Sequence, residues 1–124
     1  MKNKLYILFG IAVLALFAVA CNSNDPTKTV QNYFEALQKG DYMEAMSLTT
    51  IESDEEIESQ AKKLEGIELK ISDFEVVSKN VADDGQTAEV EVKYRFSSVF
   101  NETPEESSQT IGLVKQDGKW KIKD

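Results

Sequence analysis

The sequence has no histidine, a single cysteine (Cys21), two prolines and one tryptophan in 124 residues. Lack of histidine removes the commonest general base near neutral pH and the commonest metal ligand. One cysteine can neither close an intramolecular disulfide nor build the thiolate cluster of a structural zinc site. The six glycines are scattered and form no phosphate-cradling loop. Positive charge is scarce as well, with 14 Lys+Arg against 22 Asp+Glu. Only Lys2 and Lys4 are charged among the first twenty residues, and beyond them 12 basic side chains face 22 acidic ones, a net charge of −10. That charge, with no basic cluster, excludes nucleic acid and anionic lipid headgroups as partners. What remains is enough chain for one modest domain and too little for two.

The N-terminus reads Met-Lys-Asn-Lys, then sixteen uncharged and mostly apolar residues from Leu5 to Ala20, then Cys21. A charged start, an apolar run shorter than the ~20 residues of a spanning helix and small residues before a break make an export signal. Val19-Ala20-Cys21 resembles the lipobox of bacterial lipoproteins, with Ala18 where that family prefers Leu. The resemblance implies that Cys21 receives a diacylglycerol, that the signal 1–20 is removed and that the new amine is acylated. Two or three acyl chains hold a protein at a membrane where one would not. The expected division is therefore a signal over 1–20, a lipidated Cys21 with a short polar tether over 21–25, and a domain over 26–124 outside the cytoplasm, in the bacterial cell envelope.

Within the domain, Asp25-Pro26 reads as an N-cap followed by the favoured first helical residue, and Gly40 as a stop. Between them Val30, Tyr33, Phe34 and Leu37 recur at helical spacing. Asp41 with Glu44, and Ser53 with Glu56, have capping-box spacing and open two further helices, expected to end near Leu48 and at Gly66. The third carries acids in its first turn and Lys62-Lys63 in its last, as the helix dipole favours, but only a sparse stripe of Ile57, Ala61 and Leu64. From Ile67 the period changes to two, with a parity break at Ser72-Asp73 that predicts a bulge. Thr87–Phe96 alternates cleanly and predicts a half-buried antiparallel strand. Asn101–Glu106, containing Pro104, reads as a loop, and Ser108–Gln116 and Lys119–Lys123 as strands joined by Asp117-Gly118. That two-residue turn pairs Gln116 with Lys119 and Leu113 with Ile122. In the first hairpin a loop of Asp83-Asp84-Gly85 sets Phe74 against Tyr94 and Val76 against Val92, whereas a two-residue loop would put Glu75 opposite Tyr94.

A search for chemistry returns little. The acidic run Glu52–Glu58 is explained by cap and dipole, and the alternating ligand pattern of a calcium loop is missing. Asn101-Glu102-Thr103 matches the N-glycosylation triplet, which has no place on a bacterial anchor. No Asp or Glu falls on an expected core face beside Tyr33, Tyr42 or Tyr94, as a tuned acid–phenol pair would need. Phe34, Tyr94, Phe96 and Trp120 are inward aromatics, read either as core or as the walls of an apolar pocket. No metal, cofactor or catalytic residue is expected.

Three helices followed by about four antiparallel strands define an α+β order. The segments Asp25-Pro26, Val30, Tyr33-Phe34, Ala36-Leu37 and Lys39–Tyr42, with the closing Asp117–Ile122, resemble small bacterial lipoproteins of the nuclear transport factor 2-like class, in which a curved sheet wraps the first helix as a cone. That class contains isomerases, dehydratases and polyketide cyclases, but their catalytic His and Asp have no counterpart here. The resemblance implies a fold and leaves activity open. The first expectation is a non-enzymatic, membrane-anchored domain that binds an apolar small ligand or an envelope protein. An unusual hydrolase or isomerase using Tyr or carboxylates, and a homodimer formed through the open sheet face, are the alternatives. A buried carboxylate in an open cone would favour the enzyme.

Overall fold

A computed structural model describes residues 25–123. Cys21, the signal and most of the tether lie outside the described residues. Helix α1 (Pro26–Lys39) starts where the cap chemistry dictates, the Asp25 carboxylate accepting the Thr27 N–H at 2.9 Å. It ends at Gly40, whose φ of 78° no β-carbon favours, with the Asp41 N–H returning to Ala36 O at 2.8 Å. Helix α2 (Tyr42–Ser47) is capped by Asp41 and α3 (Asp54–Gly66) by Ser53, each accepting the N–H three residues on.

Helix α3 ends at Gly66, as the sequence suggests, but the left-handed residue of the turn is Glu68, at φ 54°, rather than the glycine. The Leu69 N–H then returns to Leu64 O at 3.2 Å, while Leu69 O accepts the Tyr42 hydroxyl at 2.6 Å. Leu69 also packs against the core. These contacts fix where the chain turns and impose a conformation that costs a non-glycine residue about 1 kcal/mol.

Four antiparallel strands follow in chain order: β1 (Lys70–Val81), β2 (Thr87–Ser98), β3 (Asn101–Gln116) and β4 (Lys119–Ile122). Their inner face buries Ile71, Ala88, Val90, Val92, Ile111, Leu113, Trp120 and Ile122 against Val30, Phe34 and Leu37 of α1. Every core residue lies between Val30 and Ile122. The last hairpin has the expected register, Gln116 with Lys119, Lys115 with Trp120 and Leu113 with Ile122. Asp117 and Gly118 both have positive φ, as a two-residue hairpin turn of this twist requires. The Lys115 ammonium lies 5.5 Å from the Trp120 ring centre.

The first hairpin has Phe74 opposite Tyr94, Val76 opposite Val92 and Glu75 opposite Lys93, and the expected bulge falls between Ile71 and Asp73. The route differs from the expected three-residue loop. Val81 pairs with Ala88 and the Ala82 N–H bonds Thr87 O, so four residues from Asp83 to Gln86 make the turn. A second bulge at Val77 absorbs the extra residue and leaves that side chain exposed.

Asn101–Glu106, expected as a loop, is strand. Pro104 is tolerated because it lies in the irregular stretch where β3 passes Ser97, and because β4 does not extend alongside it. The outer edge of β4 is covered by the chain leaving α2: Ile122 N–H bonds Leu48 O at 2.9 Å, Thr50 N–H bonds Ile122 O at 2.8 Å, and the Lys121 ammonium donates to Ser47 O at 2.9 Å. Helix α3 packs on α2, with Ala61 its one buried side chain.

Candidate functional site

Beyond Ile111 the inner face of β3 changes character. Leu113 and Ile111 are buried, but the next two residues on that face are Gln109 and Ser107, opposite Val92 and Tyr94. Helix α3 rests on α2 and stands off this part of the sheet. Between them opens a cleft of about 580 Å³. Its apolar surface comes from Met46, Ile51, Leu64, Ile111 and Ile122, and its polar surface from Tyr33, Thr49, Glu56, Gln60, Gln109, Thr110 and Lys123. The size is that of an ordinary small-ligand site.

Most polar atoms here are amides and hydroxyls. Thr49 is buried and internally satisfied, its hydroxyl donating to Met46 O at 2.6 Å and accepting the Ile51 N–H at 3.2 Å. The Tyr94 hydroxyl donates to Gln109 Oε1 at 3.2 Å and orients that amide. Burial, with the nearby Tyr94 phenol second, raises the pKa of Tyr33 above its ordinary 10.0. Tyr33 therefore enters the cleft as a protonated donor at neutral pH. Among the described residues no Asp or Glu is buried, and no three His, Cys, Asp or Glu side chains are grouped to hold a metal ion.

The sign of the Tyr33 shift gives a prediction. Well below pH 10 the phenol is neutral in folded and unfolded chains alike. As pH rises through 10.0 the unfolded chain ionises first, so stability declines from there towards the higher folded pKa. Absorbance titration at 295 nm is expected to show late-ionising phenols, and Tyr33→Phe to remove one and flatten the alkaline loss of stability. Loss of a phenol that titrates at the ordinary 10.0, rather than of a late one, would contradict the burial of the hydroxyl.

The aromatics singled out in the sequence are not the cleft walls. Phe34 is 3% exposed and wedged among Tyr33, Phe74 and Tyr94, with ring centres 5.4, 5.5 and 5.1 Å away. Phe96 packs 5.9 Å from Tyr94. Trp120 is buried in the core. Tyr94 reaches only a smaller recess of about 240 Å³ beside Phe74. These rings fill the space between α1 and the sheet, so the open volume lies one strand further on. Sequence reasoning missed Gln60, Gln109 and Thr110. The available signal was the break in alternation after Ile111, where an inward position carries an amide.

A helix lying in a curved meander with an open flank is the α+β cone of the nuclear transport factor 2-like class. The chain belongs to the family described as "Domain of unknown function (DUF4878)", whose model matches residues 19–123. No curated protein matches it in sequence. Among solved structures it is similar to a SEC-C motif containing protein from Rhodopseudomonas palustris (TM-score 0.63, 13% identity, 82% of this chain and 77% of that chain). It is also similar to a candidate isomerase from the same organism (TM-score 0.55, 10% identity, 76% and 82%). A third is a candidate polyketide cyclase from Pseudomonas putida (TM-score 0.50, 15% identity, 79% and 88%). Likeness at these identities is likeness of fold alone.

Proposed function

We propose that this protein is a bacterial envelope lipoprotein, anchored through lipid on Cys21, and that its domain is a non-enzymatic binding module whose site is the α3–β3 cleft. The observation that carries the binding role is the pairing of an apolar floor (Met46, Ile51, Leu64, Ile111, Ile122) with uncharged donors and acceptors on Gln60, Gln109 and Thr110. Such a surface desolvates an apolar group and orients a polar one. General acid–base chemistry asks for a group that titrates near the working pH. Tyr33 is moved the other way, and the carboxylate nearest the site, Glu56, stands exposed on the rim. The anchor reading draws on the N-terminal pattern, and the family match opening at residue 19 leaves most of the apolar run outside the domain.

The cleft is tested with the neutral dye N-phenyl-1-naphthylamine and the segment 22–124, which contains every core residue. Saturable enhancement of its fluorescence at one site is expected. Leu64→Lys, at a half-buried wall position, is expected to weaken binding at least tenfold without changing the circular dichroism. Absence of binding, or equal binding by Leu64→Lys, overturns the site.

A further inference from the structure

The cleft wall contributed by β3 is four consecutive residues, Gln109 to Gly112. Consecutive residues of a strand point to opposite faces, so the wall is an edge. Two backbone bonds set the hydrogen-bonding phase of that edge. Lys115 N–H bonds Gln86 O on the inner side, and Lys123 N–H bonds Gly112 O on the outer side, both at 2.9 Å. The β2–β3 register is unbroken from Thr87–Val114 to Phe96–Glu105. Alternation then turns the peptide groups of the odd residues Leu113, Ile111, Gln109 and Ser107 toward β2 and those of Thr110 and Ser108 outward. Strand β4 ends at Ile122, opposite Leu113, so among the described residues no strand pairs with Ser108 or Thr110 on that side.

We propose that this edge, Ser107 to Gly112, accepts an extended peptide from a partner protein, which adds as a strand between β3 and α3. The proposal rests on the cleft reading above and names its occupant. The stretch is ~20 Å long by strand geometry, and it holds no charge and no proline. Natural edges are normally blunted by such residues. The opposite edge, β1, carries Lys70, Asp73, Glu75 and Lys79, and the distal part of β3 carries Glu102, Pro104, Glu105 and Glu106. Among the described residues, protection is thus missing where the edge meets the cleft. Main-chain bonds to Ser108 and Thr110 would supply affinity, and alternate side chains would enter the floor beside Leu64 and Ile111.

Charge selects the occupant. The acids Glu102, Glu105 and Glu106 flank one end of the open edge, and Glu52, Asp54, Glu55 and Glu56 crowd the start of α3 across the cleft. A peptide with apolar residues at alternate positions and Lys or Arg on its flanks complements that frame. A second copy presents the same acids, and self-pairing would bring like charges together.

The test uses the full chain purified in detergent and a fluorescein-labelled eight-residue peptide, Val and Thr alternating at its centre with two Lys at each end. Saturable anisotropy above the detergent blank is expected. Thr110→Pro deletes an outward N–H and is expected to weaken binding at least tenfold. Two versions of the peptide N-methylated in alternate phases test the wild-type chain directly: one is expected to lose binding at least tenfold and the other to retain it. Equal binding of both, or no peptide binding while the dye still saturates, overturns the strand and leaves the cleft standing. Loss of dye binding overturns the cleft itself. A concentration-dependent dimer abolished by Thr110→Pro assigns the edge to a second copy and also overturns the proposal.

Discussion

Cells carrying Cys21→Ser are expected to incorporate no alkyne fatty acid into this protein, and to accumulate it with residues 1–20 attached or cut at the wrong place. The reason is chemical. Thioether formation needs a nucleophilic sulfur, and Cys21 is the one thiol in the chain. A serine hydroxyl has nearly the same size and will not substitute. The effect is all or none, because nothing else in the pattern offers an acceptor next to the apolar run. The domain is expected to fold regardless. Asp25 is the first residue to make a described contact, capping α1 through Thr27 N–H and pairing with the Lys79 ammonium at 3.2 Å, and every core position follows it. Labelling, anti-domain immunoblotting and detergent partition of wild type and variant make the measurement. Label on Cys21→Ser, or a wild type that keeps Met1 and takes up none, sinks the lipoprotein reading. The Lys79–Asp25 contact also ties the start of the domain to the strand end carrying the first hairpin.

The parts of this fold legible in the sequence are those set by neighbours in the chain. Asp25-Pro26, Asp41 with Glu44, Ser53 with Glu56, and Asp117-Gly118 each satisfy backbone groups within a few residues, and each lies where the sequence put it. What failed depends on distant partners. Gly66 does end its helix, but the left-handed residue that a glycine stop would supply falls on Glu68, where the Tyr42 hydroxyl and the packing of Leu69 set the turn. Pro104 looks like a breaker, and its harmlessness depends on how far β4 runs. Val76-Val77 shows no local sign of a bulge, because two identical residues satisfy either register, and only the pairing with β2 reveals which is extra. The cleft is the extreme case. Its walls come from α1, α2, the α2–α3 connection, α3, β3 and the end of β4. No motif marks it, since it is the gap left where a polar helix leans on its neighbour instead of on the sheet.

Phe34→Ala is expected to cost ~3–5 kcal/mol of stability. The sequence permits two roles for this ring, and they differ in energy. A ring that lines an open pocket loses contacts on one side only when truncated, and ligand or solvent takes its place. A ring that fills the core leaves a void whose walls cannot fully collapse. Phe34 is 3% exposed and meets three other aromatic rings within 5.5 Å, bridging α1 to β1 and β2. Edge and offset aromatic contacts add about 0.5–1.5 kcal/mol per pair to simple burial. Against a total of roughly 5–15 kcal/mol for a domain of this size, the loss leaves the variant marginal. The thermal midpoint is expected to fall by at least ~12 °C. Phe34→Leu keeps most of the apolar volume and loses the ring contacts, so about 1–2 kcal/mol is expected. Urea denaturation of segment 22–124 followed by Trp120 fluorescence gives both values, with unchanged m-values confirming that the unfolding transition is the same. A cost below ~1 kcal/mol for Phe34→Ala would mean that the ring borders a space rather than filling one, and would return the binding site to the interior of the cone.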